Sequence, residues 1–96
     1  MENRRPAVVV SDEAMNRHLG TVVVCPLTSN RHPRWRSRVG CTVGGVDGEI
    51  AIDQIRTVSR TRLGNILGTI DDSEAASVRH IITEMYGVLS VSAAVD

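Results

Sequence analysis

Lysine and phenylalanine are both absent from these 96 residues, and the aromatics amount to Trp35 and Tyr86. Without Phe the core has to be built from Val, Ile and Leu, a composition that favours strands. No apolar run approaches the roughly 20 residues that span a bilayer, so no membrane association is expected. The N-terminus is polar where a secretory signal needs a hydrophobic segment, which makes the cytoplasm the expected location. Only two cysteines are present, Cys25 and Cys41, and their spacing fits no metal site. They are expected to be reduced and packed. His18, His32 and His80 are scattered, so neither a metal nor another cofactor is expected.

The formal charge is zero but unevenly spread. Residues 1–38 carry seven Arg against Glu2, Asp12 and Glu13, a net +4, whereas residues 39–96 carry four Arg against eight acids, a net −4. Every basic residue is Arg, the planar multi-donor cation that pairs well with phosphate.

Ala7 to Ser11, entered through Pro6, and Thr21 to Leu27, with a Pro near its end, are Val-rich runs that read as strands. Asp12 to Gly20 between them is expected to be a loop or one helical turn. Asn30 to Arg38 has no apolar period and reads as a mobile charged loop. The Gly44-Gly45-Val46-Asp47-Gly48 cluster is a turn that pairs Val39 to Val43 with Glu49 to Ile52 as a hairpin. Ile55 to Ser59 is one more strand. From Asp71 the pattern changes: Asp71-Asp72-Ser73-Glu74 supplies acceptors for a helix start, and Ala75, Val78, Ile81, Ile82 and Met85 recur at three- and four-residue spacing up to Gly87. Residues 1–90 therefore form one mainly β domain closed by a C-terminal helix, a small strongly bent sheet or barrel, with 91–96 a frayed tail.

The glycine cluster lacks the Lys and the following helix of a phosphate loop, and nothing supports a Ser-His-Asp triad. Arginine and hydroxyl chemistry remains. RNA carries its own nucleophile, the 2′-hydroxyl. A protein cleaves it by holding that group in line with the phosphate and stabilising the charge of the pentavalent centre. An Arg at a strand end beside a hydroxyl suits that task, and Arg5, Thr28 and Ser29 are of the right type.

Three motifs in order resemble the MazF/PemK toxins. Arg5-Pro6-Ala7-Val8-Val9-Val10-Ser11 is similar to the arginine-proline strand of that family. Val24-Cys25-Pro26-Leu27-Thr28-Ser29 resembles its second motif. Asp53-Gln54-Ile55-Arg56-Thr57-Val58, followed by Arg62-Leu63-Gly64, resembles the third. The resemblance implies an SH3-like small barrel of the CcdB/MazF/PemK kind and a homodimer. It further implies metal-independent cleavage of single-stranded RNA at short motifs and neutralisation by a cognate antitoxin. Arg5 matches the family's catalytic arginine, stabilising the phosphorane and acting as general acid, and Thr28 matches its phosphate-orienting threonine. Arg4, Ser29, Asn30, Arg31, Asp53 and Gln54 are the candidate substrate-binding residues. The position two residues before Asp53 is Ala51, where PemK-like members carry an arginine, so Asp53 is expected to be structural or base-contacting.

Family members carry a further strand and a loop with Gly, Glu and Gln ahead of the arginine-proline pair. Only Met1 to Arg4 stand there, so an N-terminal strand is expected to be missing. Two alternatives to a ribonuclease toxin follow: a CcdB-type toxin that binds DNA gyrase, which needs no Arg5 and Thr28 pair, and an inactive module that binds antitoxin. The Asn30 to Arg38 loop suits RNA phosphates and bases, an acidic antitoxin tail, or neither.

Overall fold

The Val-rich runs become strands and the three- to four-residue period becomes a helix. A computed structural model describes residues 5–87 and 92–94. In chain order it has β1 (Ala7–Val9), α1 (Glu13–His18), β2 (Thr21–Thr28), β3 (Arg38–Val43), β4 (Val46–Ala51), β5 (Arg56–Ser59) and α2 (Asp72–Tyr86). Of the expected tail, residues 91, 95 and 96 lie outside the described residues, and 92–94 carry no regular structure.

The strands form one curled, half-barrel sheet in the order β1-β2-β4-β3, with β5 also on β2. All the pairings are antiparallel, and β2 takes part in three of them. Thr21 to Val24 pair with Ser59 to Arg56, Val24 to Pro26 pair with Val9 to Ala7, and Leu27 and Thr28 pair with Ile50 and Glu49. The sequence suggested that Pro26 would mark the end of this strand, yet β2 runs through it to Thr28. On either side of β1, Val10 N–H donates to the Val23 carbonyl and Leu27 N–H to the Pro6 carbonyl, at 2.9 Å each. By alternation the nitrogen of Pro26 points to the opposite edge. There β2 leaves β5 and meets β4, so no ladder partner goes without a donor.

The β3-β4 hairpin closes through Gly44 and Gly45, with φ of 57° and 78°. Two successive positive φ values make the two-residue turn whose twist suits a hairpin, and only glycine adopts them without strain. Val43 and Val46 are the closing pair. The paired stretch of β4 ends at Ala51, and Ile52 opens a 3₁₀ turn, Ile52–Gln54. Asp12 accepts the N–H groups of Ala14 and Met15 and starts α1, a full short helix where a loop or single turn was expected.

Helix α2 begins with a reciprocal capping box: Glu74 N–H donates to Asp71 at 2.7 Å and Asp71 N–H to Glu74 at 2.9 Å. Its apolar stripe lies on the concave face of the sheet. Val78 joins Cys25, Leu27, Cys41, Ile50 and Ile52 in the core, flanked by Ile70, Ile81 and Ile82. Ile50 and Ile52 are wholly buried, each contributing about 1.5–3 kcal/mol. At the far end the Tyr86 hydroxyl donates to the Ile52 carbonyl at 2.8 Å, pinning α2 to the 3₁₀ turn. Cys25 and Cys41 are free, buried thiols. Burial, followed by the charge of Asp53 at Cys25 and of Glu74 at Cys41, pushes both up to about 11.

Candidate functional site

The pairing of β1 with β2 decides where the two principal candidates meet. Ala7 opposes Pro26, and Leu27 N–H donates to the Pro6 carbonyl at 2.9 Å, so the register continues outward. The next pair along is Arg5 and Thr28. It flanks a hydrogen-bonded pair, which makes it the closer kind of antiparallel pair, with both side chains on one face. The arginine-proline strand and the end of the second motif, more than twenty residues apart in the chain, are thus brought side by side by the register. Arg5 is exposed and Thr28 half-buried. Arg4 lies outside the described residues.

The Thr28 hydroxyl accepts Asn30 N–H at 3.1 Å, which folds Ser29 and Asn30 into a tight turn off the strand. Its own proton has no acceptor among the described residues and is available to donate to a ligand. Ser29 and Asn30 are exposed beside it. Arg31 leans the other way, to Asp47 at 2.8 Å, with both side chains largely in solvent. The Thr42 hydroxyl, then the charge of Arg31, hold the Asp47 carboxyl below its usual value.

The Asn30 to Arg38 segment was expected to be mobile. Instead it is folded back and tethered throughout. His32 N–H donates to Glu49 Oε1 at 2.7 Å, and Trp35 N–H donates to the His32 carbonyl at 2.9 Å. The His32 and Trp35 rings stack at 3.8 Å, while Ile52 N–H reaches the Ser37 carbonyl at 2.9 Å. The cause is a buried polar cluster beneath the loop that local sequence pattern does not reveal. Arg36, the most exposed of the loop cations in an ion pair, reaches across to Glu84 on α2 at 3.1 Å, and His80 joins the same carboxylate at 2.8 Å.

Asp53 and Gln54 sit on the 3₁₀ turn after β4, and Gln54 is exposed. The Asp53 carboxylate is engaged by Arg38 Nε at 2.9 Å and by the Ser37 hydroxyl at 2.7 Å. Burial pushes that carboxyl up, but the hydrogen bonds from Arg38 and Ser37 outweigh it and hold it below its ordinary value. Arg38, which the sequence reading left in the exposed loop, and Glu49, which it did not single out, form the centre of this cluster, with side chains 4% and 6% exposed. The one legible signal was Glu49 itself, an acid opening the apolar run Glu49-Ile50-Ala51-Ile52. Among the described residues no three His, Cys, Asp or Glu side chains gather as a metal ligand set.

The exposed end of the sheet therefore offers a guanidinium and a hydroxyl, groups suited to fixing phosphate oxygens. The sequence matches the family described as PemK-like, MazF-like toxin of type II toxin-antitoxin system over residues 1–86. Several solved structures share the fold. A mycobacterial endoribonuclease in complex with its cognate antitoxin superposes with a TM-score of 0.80 at 25% identity, covering 91% of this chain and 84% of that one. The MazE-MazF complex from Deinococcus radiodurans gives 0.77 at 31% identity, with 88% and 84% covered. MazF alone from the same organism gives 0.76 at 30% identity, with 92% and 81% covered. No curated protein sequence matches the chain. Fold, motif order and the span of the family match agree: this chain belongs to the PemK-like, MazF-like toxins of type II toxin-antitoxin systems.

Proposed function

We propose that this toxin is a metal-independent endoribonuclease that cuts single-stranded RNA at short motifs, with Arg5 and Thr28 as its catalytic residues. The observation that supports the reading is the β1-β2 register, which, continued two residues beyond Ala7, brings Arg5 opposite Thr28 at an exposed sheet end. The 2′-hydroxyl of the substrate attacks the adjacent phosphorus, the bond to the 5′-oxygen breaks, and the proton lost from the nucleophile ends on the leaving oxygen. The products are a 2′,3′-cyclic phosphate and a 5′-hydroxyl. Arg5 faces the charge that develops on the phosphoryl oxygens, and the free proton of Thr28 holds one of those oxygens in line. Ser29 and Asn30, exposed beside Thr28, together with Arg4, Arg31 and Gln54, are the contacts proposed for flanking nucleotides.

The protein acts in the cytoplasm as a homodimer and is neutralised by a cognate antitoxin. Support for protein partners comes from the stretch between β5 and α2, where Leu63, Ile66 and Leu67 are exposed, Ile66 to 91%. The solved relatives include complexes with antitoxin. No helix among the described residues is long and apolar enough to cross a membrane.

The test is incubation of purified protein with a long single-stranded RNA in EDTA, mapping the cut ends, beside Arg5→Ala and Thr28→Ala. Discrete cuts ending in cyclic phosphate are expected, with each variant slowed about 10²- to 10³-fold. Intact RNA with retained antitoxin binding sinks the ribonuclease reading and leaves an antitoxin-binding module. Gyrase inhibition without cleavage leaves a CcdB-type toxin.

A further inference from the structure

Arg38 uses every nitrogen of its guanidinium within the protein. It opens β3 with only 4% of its side chain exposed. Nε donates to Asp53 Oδ1 at 2.9 Å, Nη2 points to Asp53 Oδ2 at 3.5 Å, and Nη1 donates to the Asn30 carbonyl at 3.1 Å. Nη1 also lies 3.6 Å from Glu49 Oε1. The flat guanidinium sits over the Trp35 indole, its carbon 4.8 Å from the ring centroid. Only a rigid planar fork reaches all of these at once. A lysine ammonium in the same place is a single point with three donors.

What the fork joins gives it a consequence beyond stability. Asn30 is held on both sides: its N–H goes to the Thr28 hydroxyl and its carbonyl to Arg38. His32 donates to Glu49, which faces Arg38, and stacks on Trp35, which Arg38 covers. Three anchors of the 30–35 segment therefore converge on one buried cation. The segment in turn holds out Arg31 and Arg34, on the rim of a shallow hollow of about 280 Å³ that His32, Pro33 and Trp35 complete. Its near end is the turn carrying the candidate catalytic hydroxyl.

We propose that Arg38 is a positioning residue. From inside the protein, without touching RNA, it fixes the conformation of residues 30–35 and so sets which nucleotides beside the scissile phosphate are accepted. The selectivity half of this inference rests on the ribonuclease reading. The positioning half does not.

The experiment uses the full chain and three variants, Arg38→Lys, Glu49→Gln and Glu49→Ala. Amide hydrogen exchange is read first. In Arg38→Lys the amides of His32 and Trp35 are expected to exchange about tenfold faster or more, while those of Val23, Cys25 and Ile50 keep their protection. Glu49→Gln retains an oxygen for His32 N–H and stays near wild type at that amide. Glu49→Ala does not, and this pair carries the comparison should Arg38→Lys fail to fold. Cut ends are then mapped on a random-sequence single-stranded RNA pool, with kcat and KM measured on a preferred site. Arg38→Lys is expected to broaden the set of sites and raise KM, with kcat within about threefold of wild type.

Unchanged loop protection, or protection lost equally across β2, β4 and the loop, overturns the proposal. So does a lower kcat at unaltered cut sites. A wild-type protein that cuts no RNA overturns the ribonuclease reading and the selectivity half with it, and the exchange comparison then decides the positioning half by itself.

Discussion

Replacing Gly48 by alanine tests how closely the hairpin is pressed against the strand that carries Thr28. A Cβ at this position falls 2.6 Å from the Thr28 carbonyl oxygen and 3.2 Å from its carbonyl carbon. A carbon meets a carbonyl oxygen comfortably at about 3.3 Å, so β4 has to retreat from β2 by about 0.7 Å. The obstacle is backbone, which cannot swing aside as a flexible side chain does. Overpacking of this kind costs about 1–3 kcal/mol. For a domain of this size that lowers the melting temperature by about 5–20 °C. Gly40 in the facing strand is the matched control, since a Cβ there meets nothing within 4 Å. Gly40→Ala is expected to gain up to about 1 kcal/mol through the unfolded chain. The two variants are compared by thermal melting, and then by RNA cleavage at a temperature where both are folded. Gly48→Ala should lose cleavage beyond its unfolded fraction, because the strained contact falls on the Thr28 backbone and shifts near 1 Å cost about 10²-fold. Equal melting temperatures for the two variants, with equal cleavage, would refute the close approach of β4 to β2.

Asp71→Ala removes half of the capping box of α2 and should cost about 1 kcal/mol, a fall of about 4–8 °C in thermal melting, whereas Asp71→Asn retains most of the cap. With thiols near 11, only about one in a thousand is ionised at pH 8, so the native protein should resist a thiol reagent and react at both cysteines once denatured. Rapid labelling of the native chain would contradict the burial of Cys25 and Cys41. Asp53 is held below its ordinary value, so its ion pair stabilises the fold above about pH 4 and that contribution is lost as pH falls through the lower folded value. In acid titrations followed by circular dichroism, Asp53→Asn should therefore be less stable at neutral pH and flatter below pH 4, and an unchanged acid limb would count against the pair.

The sequence carried the elements whose signals are local. The Gly44 to Gly48 cluster marked the hairpin, although the turn itself takes only Gly44 and Gly45 and β4 already begins at Val46, and Asp71 with Glu74 marked the helix start because both partners lie within one turn. Alternation could not mark the whole of β4, since Gly48 to Ala51 are buried in succession: one face meets β2 and the core while the other is roofed by the 30–38 segment. The same roof hid the polar cluster. Arg38 is 15 residues from Asp53 and Ser37 is 16, separations that only strand register and the 3₁₀ turn bring together. Reading Asn30 to Arg38 by composition gave a solvated loop, because four of its charged or aromatic side chains, Arg31, Arg34, Trp35 and Arg36, do face water and nothing local distinguishes Arg38 from them. At the candidate site, the identity of Arg5 and Thr28 came from motif resemblance, but their placement opposite each other needed the register.

Strand β2 borrows its neighbours from residues 7–9, 49–50 and 56–59, which has a consequence for synthesis. A nascent chain emerging from the ribosome has Arg5 and Thr28 in hand early, yet one edge of β2 stays bare until residue 59 is free. Incomplete chains thus own both candidate side chains without the frame that aligns them.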